Sequence, residues 1–282
     1  MTAVETNLTY DPNATLDVTY RDVEYQPGLT ARVYQPAGPG PFPAMVSVHG
    51  GAWEGKEWLQ NEASHINLAS GGLVVMAIQF RTSADAPHPA AQQDINFAIR
   101  WLKSHAGDFN ASSERMGGAG WSSGGHQIML AAMKPHDYEE IALPEAPDVH
   151  GSLAYVIMGW PVIDPLARYR LAQEKGNVEL QARHNRYFGD EAGMEAASPP
   201  HMIERGERVD TPPALLLQGS ADEGLPKGMA ERFVQLYSER GAIIELGKYP
   251  GEPHGFMRND NENTRAAFRL AKSFIARHLY KA

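Results

Sequence analysis

The chain has 282 residues, of which 43% are hydrophobic and 21% charged, and it contains no cysteine. This length suits one large α/β domain, and the lack of cysteine excludes disulfides and thiolate metal sites. The formal net charge of -9 argues against nucleic acid or an anionic membrane surface as a partner. No apolar run is long enough to span a bilayer, and residues 1–11 carry no signal-peptide pattern, so we expect a soluble cytoplasmic protein.

Predicted strands and helices alternate along the chain. Residues 16–34 alternate as a strand pair that turns at residues 26–28. Further strands are predicted over residues 44–48, 73–80, 116–121, 153–158, 214–218 and 243–249. Helices are predicted over residues 90–105, 124–132, 167–185, 229–240 and 264–278. This alternation implies one mostly parallel sheet covered on both faces. We therefore expect residues 1–282 to form a single α/β domain, with room for a small lid within residues 134–200.

Residues 120–126, Gly-Trp-Ser-Ser-Gly-Gly-His, match the pattern G-x-S-x-G between a predicted strand and a predicted helix. A turn this tight leaves no room for a Cβ at the flanking positions, which explains the glycines. The oxygen of Ser122 is then held above the sheet at the positive end of the helix. The pattern predicts Ser122 as a nucleophile, whereas Ser123 lies outside the motif register.

Residues 49–53, His-Gly-Gly-Ala-Trp, follow a predicted buried strand. A loop of small residues exposes its backbone amides, and such amides stabilise the oxyanion of a tetrahedral intermediate. We predict the N–H groups of Gly51 and Ala52 as oxyanion donors, with the N–H of Ser123 as the third. His49 is predicted to support this loop rather than to act as a base.

Two later loops each follow a predicted strand and carry ionisable side chains. Ligand sites lie at the carboxyl ends of parallel strands, and the order serine, acid, histidine is the one this architecture uses. His254 stands between proline and glycine after a strand, so we predict it as the general base. Asp222 is favoured over Glu223 as the acid on loop register. The carboxylate would fix the histidine tautomer and stabilise the imidazolium.

With Phe80, Arg81 and the segment 89–102, these motifs resemble the esterase and lipase branch of the α/β-hydrolases related to hormone-sensitive lipase, acetyl esterases and feruloyl-esterase-like proteins. The resemblance covers nearly the whole chain from about Thr15. It implies about eight strands in the sheet, no metal or organic cofactor, acyl transfer to water through an acyl-enzyme, and a homodimer. Ala52 replaces a glycine of many relatives, but this change removes no backbone donor.

The expected function is hydrolysis of a small carboxylic ester. The same residues would also serve an amide, formamide, carbamate or lactone, and a remote alternative is a binding protein that has lost catalysis. Trp53 and Trp160 are predicted to line an apolar substrate pocket, with core packing as the alternative. Arg81 is expected to support loops. If Arg81 or Arg258 faced the pocket instead, a substrate carboxylate would become plausible.

Overall fold

The computed structural model of the chain describes residues 8–280. Eight strands form one sheet: β1 (Val18–Gln26), β2 (Leu29–Pro36), β3 (Phe42–Val48), β4 (Val74–Ile78), β5 (Ala111–Trp121), β6 (Tyr155–Gly159), β7 (Ala214–Gly219) and β8 (Ile244–Tyr249). Their order in the sheet is β1-β2-β4-β3-β5-β6-β7-β8. The pairs β1–β2 and β2–β4 are antiparallel, and all other pairs are parallel. The predicted mostly parallel sheet with an antiparallel hairpin at its edge is confirmed.

Helices cover both faces of this sheet. They are α1 (Glu62–Ser70), α2 (Ala90–Ser104), α3 (Ser123–Met133), α4 (Pro165–Glu174), α5 (Val178–Phe188), α6 (Glu191–Ala196), α7 (Pro199–Glu204), α8 (Met229–Glu239) and α9 (Glu262–Leu279). Helices α2, α3 and α8 contribute to one hydrophobic cluster, and α1 and α9 contribute to a second cluster on the opposite face. Because both faces are covered, the central strands are buried throughout and mainly apolar, as β3 and β4 show.

The region between β6 and β7 differs from its prediction. One helix was expected over residues 167–185, but the structure has α4 and α5, separated at Gly176 and Asn177. The side chain of Asn177 accepts a hydrogen bond from the Leu180 amide and so caps the start of α5. Helices α4 to α6 lie within the region expected for a lid, and a lid role stays a prediction.

Two predictions about the ends of the chain fall partly outside the described residues. The expected lack of a signal peptide and the single domain over residues 1–282 both include residues 1–7, and the domain also includes residues 281–282. Among the helices within residues 8–280, none is long and apolar enough to cross a membrane.

Candidate active site

Ser122 is the single residue between strand β5 and helix α3, and its backbone has φ 54° and ψ -119°. A residue with a side chain in this region carries strain of the order of 1–3 kcal/mol and persists only where its surroundings impose it. Here the Ser122 amide donates to the carbonyl of Gly159 at 2.9 Å, and the Ser122 carbonyl accepts from Val162 at 3.0 Å. Strand β6 and the residues after it therefore hold the turn in place.

The glycines around this turn have no space for a side chain. A Cβ on Gly120 would lie 2.2 Å from the carbonyl oxygen of Gly124. A Cβ on Gly124 would lie 2.3 Å from the carbonyl oxygens of both Val48 and His49. These are backbone atoms, which cannot swing aside, so the close approach of β3, β5 and α3 requires glycine at both positions.

Ser122, His254 and Asp222 lie in one hydrogen-bond chain at the carboxyl edge of the sheet. The Oγ atom of Ser122 is 2.9 Å from Nε2 of His254, and Nδ1 of His254 is 2.8 Å from Oδ2 of Asp222. A proton on Nδ1 donates to the carboxylate and leaves Nε2 free to accept from the serine hydroxyl. Ser122 is 6% exposed, while the side chains of His254 and Asp222 are 31% and 2% exposed. The histidine is thus the most accessible of the three.

Three donors hold the carboxylate of Asp222. Besides His254, the side-chain amide of Gln218 donates to Oδ2 at 3.0 Å, and the backbone amide of Gly224 donates to Oδ1 at 2.9 Å. Burial raises the pKa of Asp222, but the hydrogen bonds outweigh it and hold the pKa below its ordinary value. Asp222 therefore stays ionised. Glu223, the neighbour, is exposed, and its described hydrogen bond is from Lys175 to its backbone carbonyl.

The loop after β3 has positive backbone φ angles and places its amides beside Ser122. Gly51, Ala52 and Trp53 all have positive φ, at 114°, 51° and 62°. The amide of Trp53 donates to Oγ of Ser123 at 3.2 Å. Among the hydrogen bonds described for residues 8–280, none occupies the amides of Gly51, Ala52 or Ser123. Ser123 begins α3, where the helix leaves its first amides unpaired. Free amides near one hydroxyl can bind a developing oxyanion.

Trp53 and Trp160 pack in the core, which differs from the predicted pocket lining and agrees with its alternative. Trp53 is 1% exposed and Trp160 is 0% exposed. The Trp53 ring stacks on Tyr187, with centroids 5.7 Å apart, and its indole N–H donates to Nδ1 of His126 at 3.3 Å. Trp160 lies edge-on to His254, with ring centroids 6.2 Å apart. Their rings face neighbouring side chains and leave almost no surface for a ligand.

Two supporting residues were not predicted from the sequence. His126 is fully buried, and burial lowers its pKa to about 3, so the ring is neutral. Its Nε2–H donates to the Ala197 carbonyl at 2.8 Å, which leaves Nδ1 to accept from Trp53 and fixes the oxyanion loop. Arg168 of α4 donates from Nε to the Gly224 carbonyl at 3.3 Å, behind the loop of Asp222. His126 belongs to the 120–126 motif, whereas Arg168 lies in a polar helix that gave no such signal.

Arg81 and His49 each contact neighbouring side chains, and their roles in supporting loops stay predictions. Arg81 pairs with the buried carboxylate of Asp94, with Nη2 2.8 Å from Oδ1 and Nε 2.9 Å from Oδ2. This partner neutralises the arginine. The ring of His49 stacks on Phe80, with centroids 4.3 Å apart, and burial lowers its pKa to about 4.

Two clefts open at the same edge of the sheet. The larger has a volume of about 410 Å³ and is lined by His49, Phe80, Arg81 and the β1–β2 turn, among others. The second has a volume of about 280 Å³ and includes Asp222. The volume of the larger cleft lies within the range of small-molecule sites. In the described part of the chain, no group of three or more His, Cys, Asp or Glu residues is placed to hold a metal ion.

Known proteins resemble the chain over most of its length. It is 29% identical to Esterase LipC of Mycobacterium tuberculosis over 79% of this chain and 55% of that protein. It is 26% identical to an ethyl acetate hydrolase of Pseudomonas putida over 86% of this chain and 75% of that protein. The chain spans 55% of the length of Esterase LipC and 66% of the length of Carboxylic ester hydrolase LipN of the same organism.

A solved structure and a family model also match most of the chain. The propionate-bound Est2 esterase of Thermogutta terrifontis matches with a TM-score of 0.73 and 25% identity, over 95% of this chain and 96% of that one. The family model described as BD-FAE matches residues 32–236, which is more than half of the sequence. The chain therefore belongs to the BD-FAE family and has the α/β-hydrolase fold.

Proposed function

We propose that this protein hydrolyses carboxylic esters, with Ser122 as the nucleophile. The observation that carries the proposal is the hydrogen-bond chain from Ser122 through His254 to Asp222, with distances of 2.9 and 2.8 Å. A serine becomes a nucleophile when a base accepts its proton and a third group orients the base. Relatives named as an esterase and an ethyl acetate hydrolase support an ester as the substrate.

The proposed reaction passes through an acyl-enzyme. His254 takes the proton of Ser122 as the serine oxygen attacks the ester carbonyl, and the resulting imidazolium is stabilised by the ionised Asp222. His254 then returns the proton to the departing alcohol. In the second half, His254 activates a water molecule that releases the acid and restores the serine.

The amides of Gly51, Ala52 and Ser123 are the proposed oxyanion donors. Each such donor lowers the barrier by about 3 kcal/mol where single donors have been removed. Two features support this role: the amides are free among the described hydrogen bonds, and the loop lies against the turn of Ser122. A Cβ on Gly50 would be only 3.1 Å from the Cβ of Ser122.

Replacing Ser122 tests the proposal. We expect Ser122→Ala to lose hydrolysis of 4-nitrophenyl butyrate by several orders of magnitude, because no other group replaces the nucleophile. Ser113→Ala is a matched control, since Ser113 is an exposed serine on the same strand, β5. It should retain wild-type kcat and KM. Undiminished turnover by folded Ser122→Ala would refute Ser122 as the nucleophile.

A further inference from the structure

We propose that a group of hydrogen-bond donors beside His254 binds a carboxylate carried by the substrate. This donor cluster consists of Arg258 and the two amide side chains that hold it, Gln60 and Asn61. The inference rests on the proposed ester hydrolysis and extends it to a substrate class, namely esters with an anionic substituent. It is carried by an exposed arginine that is held by neutral side chains and has no ion pair within residues 8–280.

Arg258 is held rigidly but by neutral groups. Its Nη2 donates to the side-chain oxygen of Gln60 at 2.7 Å, and its Nε donates to the side-chain oxygen of Asn61 at 3.2 Å. No ion pair within residues 8–280 includes Arg258. A fixed guanidinium with uncompensated charge is prepared to bind an anion, because its geometry is set before the ligand arrives.

The nearby carboxylates are already occupied. Glu62, which follows Asn61, accepts from Arg32 at 3.2 Å and from the hydroxyl of Tyr34 at 2.9 Å. Glu252, in the loop of His254, accepts from two asparagine side chains at 2.9 Å, those of Asn261 and Asn263. Asp260, two positions after Arg258, pairs with Arg265 at 2.6 Å. These carboxylates thus have other partners, which leaves the charge of Arg258 available to a ligand.

The remaining members of the cluster offer donors without acceptors. Within the described part of the chain, Nε2 of Gln60 and Nδ2 of Asn61 are buried and have no hydrogen-bond partner. Such groups are rare in folded proteins, because a buried unpaired donor costs about 1–3 kcal/mol. The oxygens of both amide side chains are taken by Arg258. Because these amide N–H groups are buried, the donor that a ligand can reach is the exposed guanidinium of Arg258, which a carboxylate complements.

Asn61 shows that this arrangement replaces a more usual one. Asn61 is the N-cap residue of α1, a position where the asparagine oxygen normally accepts from a backbone amide of the first turn. Here it makes no such hydrogen bond, and its oxygen accepts from Arg258 instead. The side chain of Asn61 thus orients Arg258 instead of capping helix α1.

The cluster lies next to the reacting groups. The guanidinium carbon of Arg258 is 6.0 Å from the centre of the Trp160 ring, which is itself edge-on to His254 at 6.2 Å. A Cβ on Gly255, the residue after His254, would be 3.5 Å from Nη1 of Arg258. A substrate positioned for attack by Ser122 can therefore extend an anionic arm toward Arg258. Arg81 does not compete for this role, because Asp94 neutralises it.

Two matched pairs of esters test the inference. The first pair places the charge in the acyl part: mono-4-nitrophenyl adipate against 4-nitrophenyl hexanoate. The second places it in the leaving alcohol: 4-acetoxybenzoate against 4-acetoxybenzamide. For each pair, the ratio of kcat/KM, anionic over neutral, is measured in wild type and in Arg258→Gln. Using the ratio cancels any general loss of activity in the variant.

We expect the ratio to fall at least about tenfold in Arg258→Gln for one of the pairs, mainly through KM, which corresponds to about 1.4 kcal/mol. The responding pair shows which part of the ester carries the carboxylate. The wild-type ratio should also fall with added salt, since Arg258 is exposed. Arg277→Gln is the control; Arg277 is paired with Glu245 on the surface, and its replacement should leave both ratios unchanged.

Different results would contradict the carboxylate site and the ester hydrolysis. Equal ratios in wild type and Arg258→Gln for both pairs, with neutral esters still hydrolysed, would overturn the carboxylate site alone. If the folded wild-type protein hydrolysed none of the four esters, the proposed ester hydrolysis would fail and the carboxylate site with it.

Discussion

The position of Asp222 depends on residues that the loop sequence does not show. Gln218 and Gly224 each donate to its carboxylate, and Arg168 binds the carbonyl of Gly224 from helix α4. These contacts fix the carboxylate so that one oxygen faces His254. Asp222 could be preferred over Glu223 from the sequence, because the preference rests on loop register, which is a local feature. The sequence did not reveal Arg168 or Asn61, because their partners lie 56 and 197 positions away.

Replacing Asp222 distinguishes the two neighbouring acids. In Asp222→Asn, the amide can present its N–H to His254 and favour the wrong tautomer, so kcat should fall by about 10⁴-fold, as it does in Ser-His-Asp hydrolases. Glu223→Gln is the matched control and should stay within about threefold of wild type, because the Glu223 side chain is exposed. Steady-state kinetics on 4-nitrophenyl butyrate measure both. A larger loss in Glu223→Gln than in Asp222→Asn would reverse the assignment.

At the scale of elements, the site is made by one junction, where β5 turns directly into α3. The junction places the hydroxyl of Ser122 at the amino end of α3. The loop with Gly51 and Ala52 follows β3 and lies beside this junction. This part of the fold was predictable, since apolar strands and a glycine-rich turn are strong local signals. Helix α1 and the division between α4 and α5 were not. Helix α1 lacks a clear apolar stripe, and its asparagine cap is turned toward Arg258.

The junction should not tolerate a single added methyl group. We expect Gly124→Ala to lower the free energy of unfolding by several kcal/mol, because its Cβ would lie 2.3 Å from two backbone oxygens of β3 and the residue after it. Gly107→Ala is the control, since a Cβ there meets nothing within 4 Å. Urea denaturation followed by circular dichroism compares the two. Equal midpoints for both variants would show that the close packing around the turn is not required.

At the scale of the whole molecule, packing on the two faces of the sheet buries several histidines. Burial lowers the pKa of His65 and His126 to about 3, and of His49, His88 and His184 to about 4. An unfolded histidine has a pKa of about 6.5. Below that pH the unfolded chain binds protons that the fold excludes, so acid favours unfolding.

Stability should therefore fall as the pH drops from about 6.5 toward 4 and should be nearly flat above about 7. Each buried histidine adds up to about 1.4 kcal/mol per pH unit to this slope. Urea midpoints at pH 8, 7, 6 and 5 measure it. His65→Gln should reduce the slope, whereas His136→Gln should not, because the His136 side chain is 64% exposed. A midpoint that does not change between pH 7 and 5 would contradict the account.

The global arrangement of the sheet was predictable from the alternation of strands and helices, whereas assembly and location depend on surfaces that this alternation does not describe. The homodimer, the cytoplasmic location and the lid stay predictions. What the alternation did establish is that the residues after β3, β5, β7 and β8 meet at one edge, because the carboxyl ends of parallel strands share it. The hydrogen-bond chain of Ser122, His254 and Asp222 lies at that edge.

Covalent labelling tests the central claim, that Ser122 is an activated nucleophile, most directly. The folded protein is treated with a fluorophosphonate, and its intact mass and the modified peptide are determined by mass spectrometry. The account predicts one phosphonyl group per chain, attached to Ser122, and no labelling of folded Ser122→Ala. Ser113→Ala, the control, should be labelled at Ser122 like the wild type. Labelling at another residue, or no labelling of the folded wild-type protein, would contradict the account.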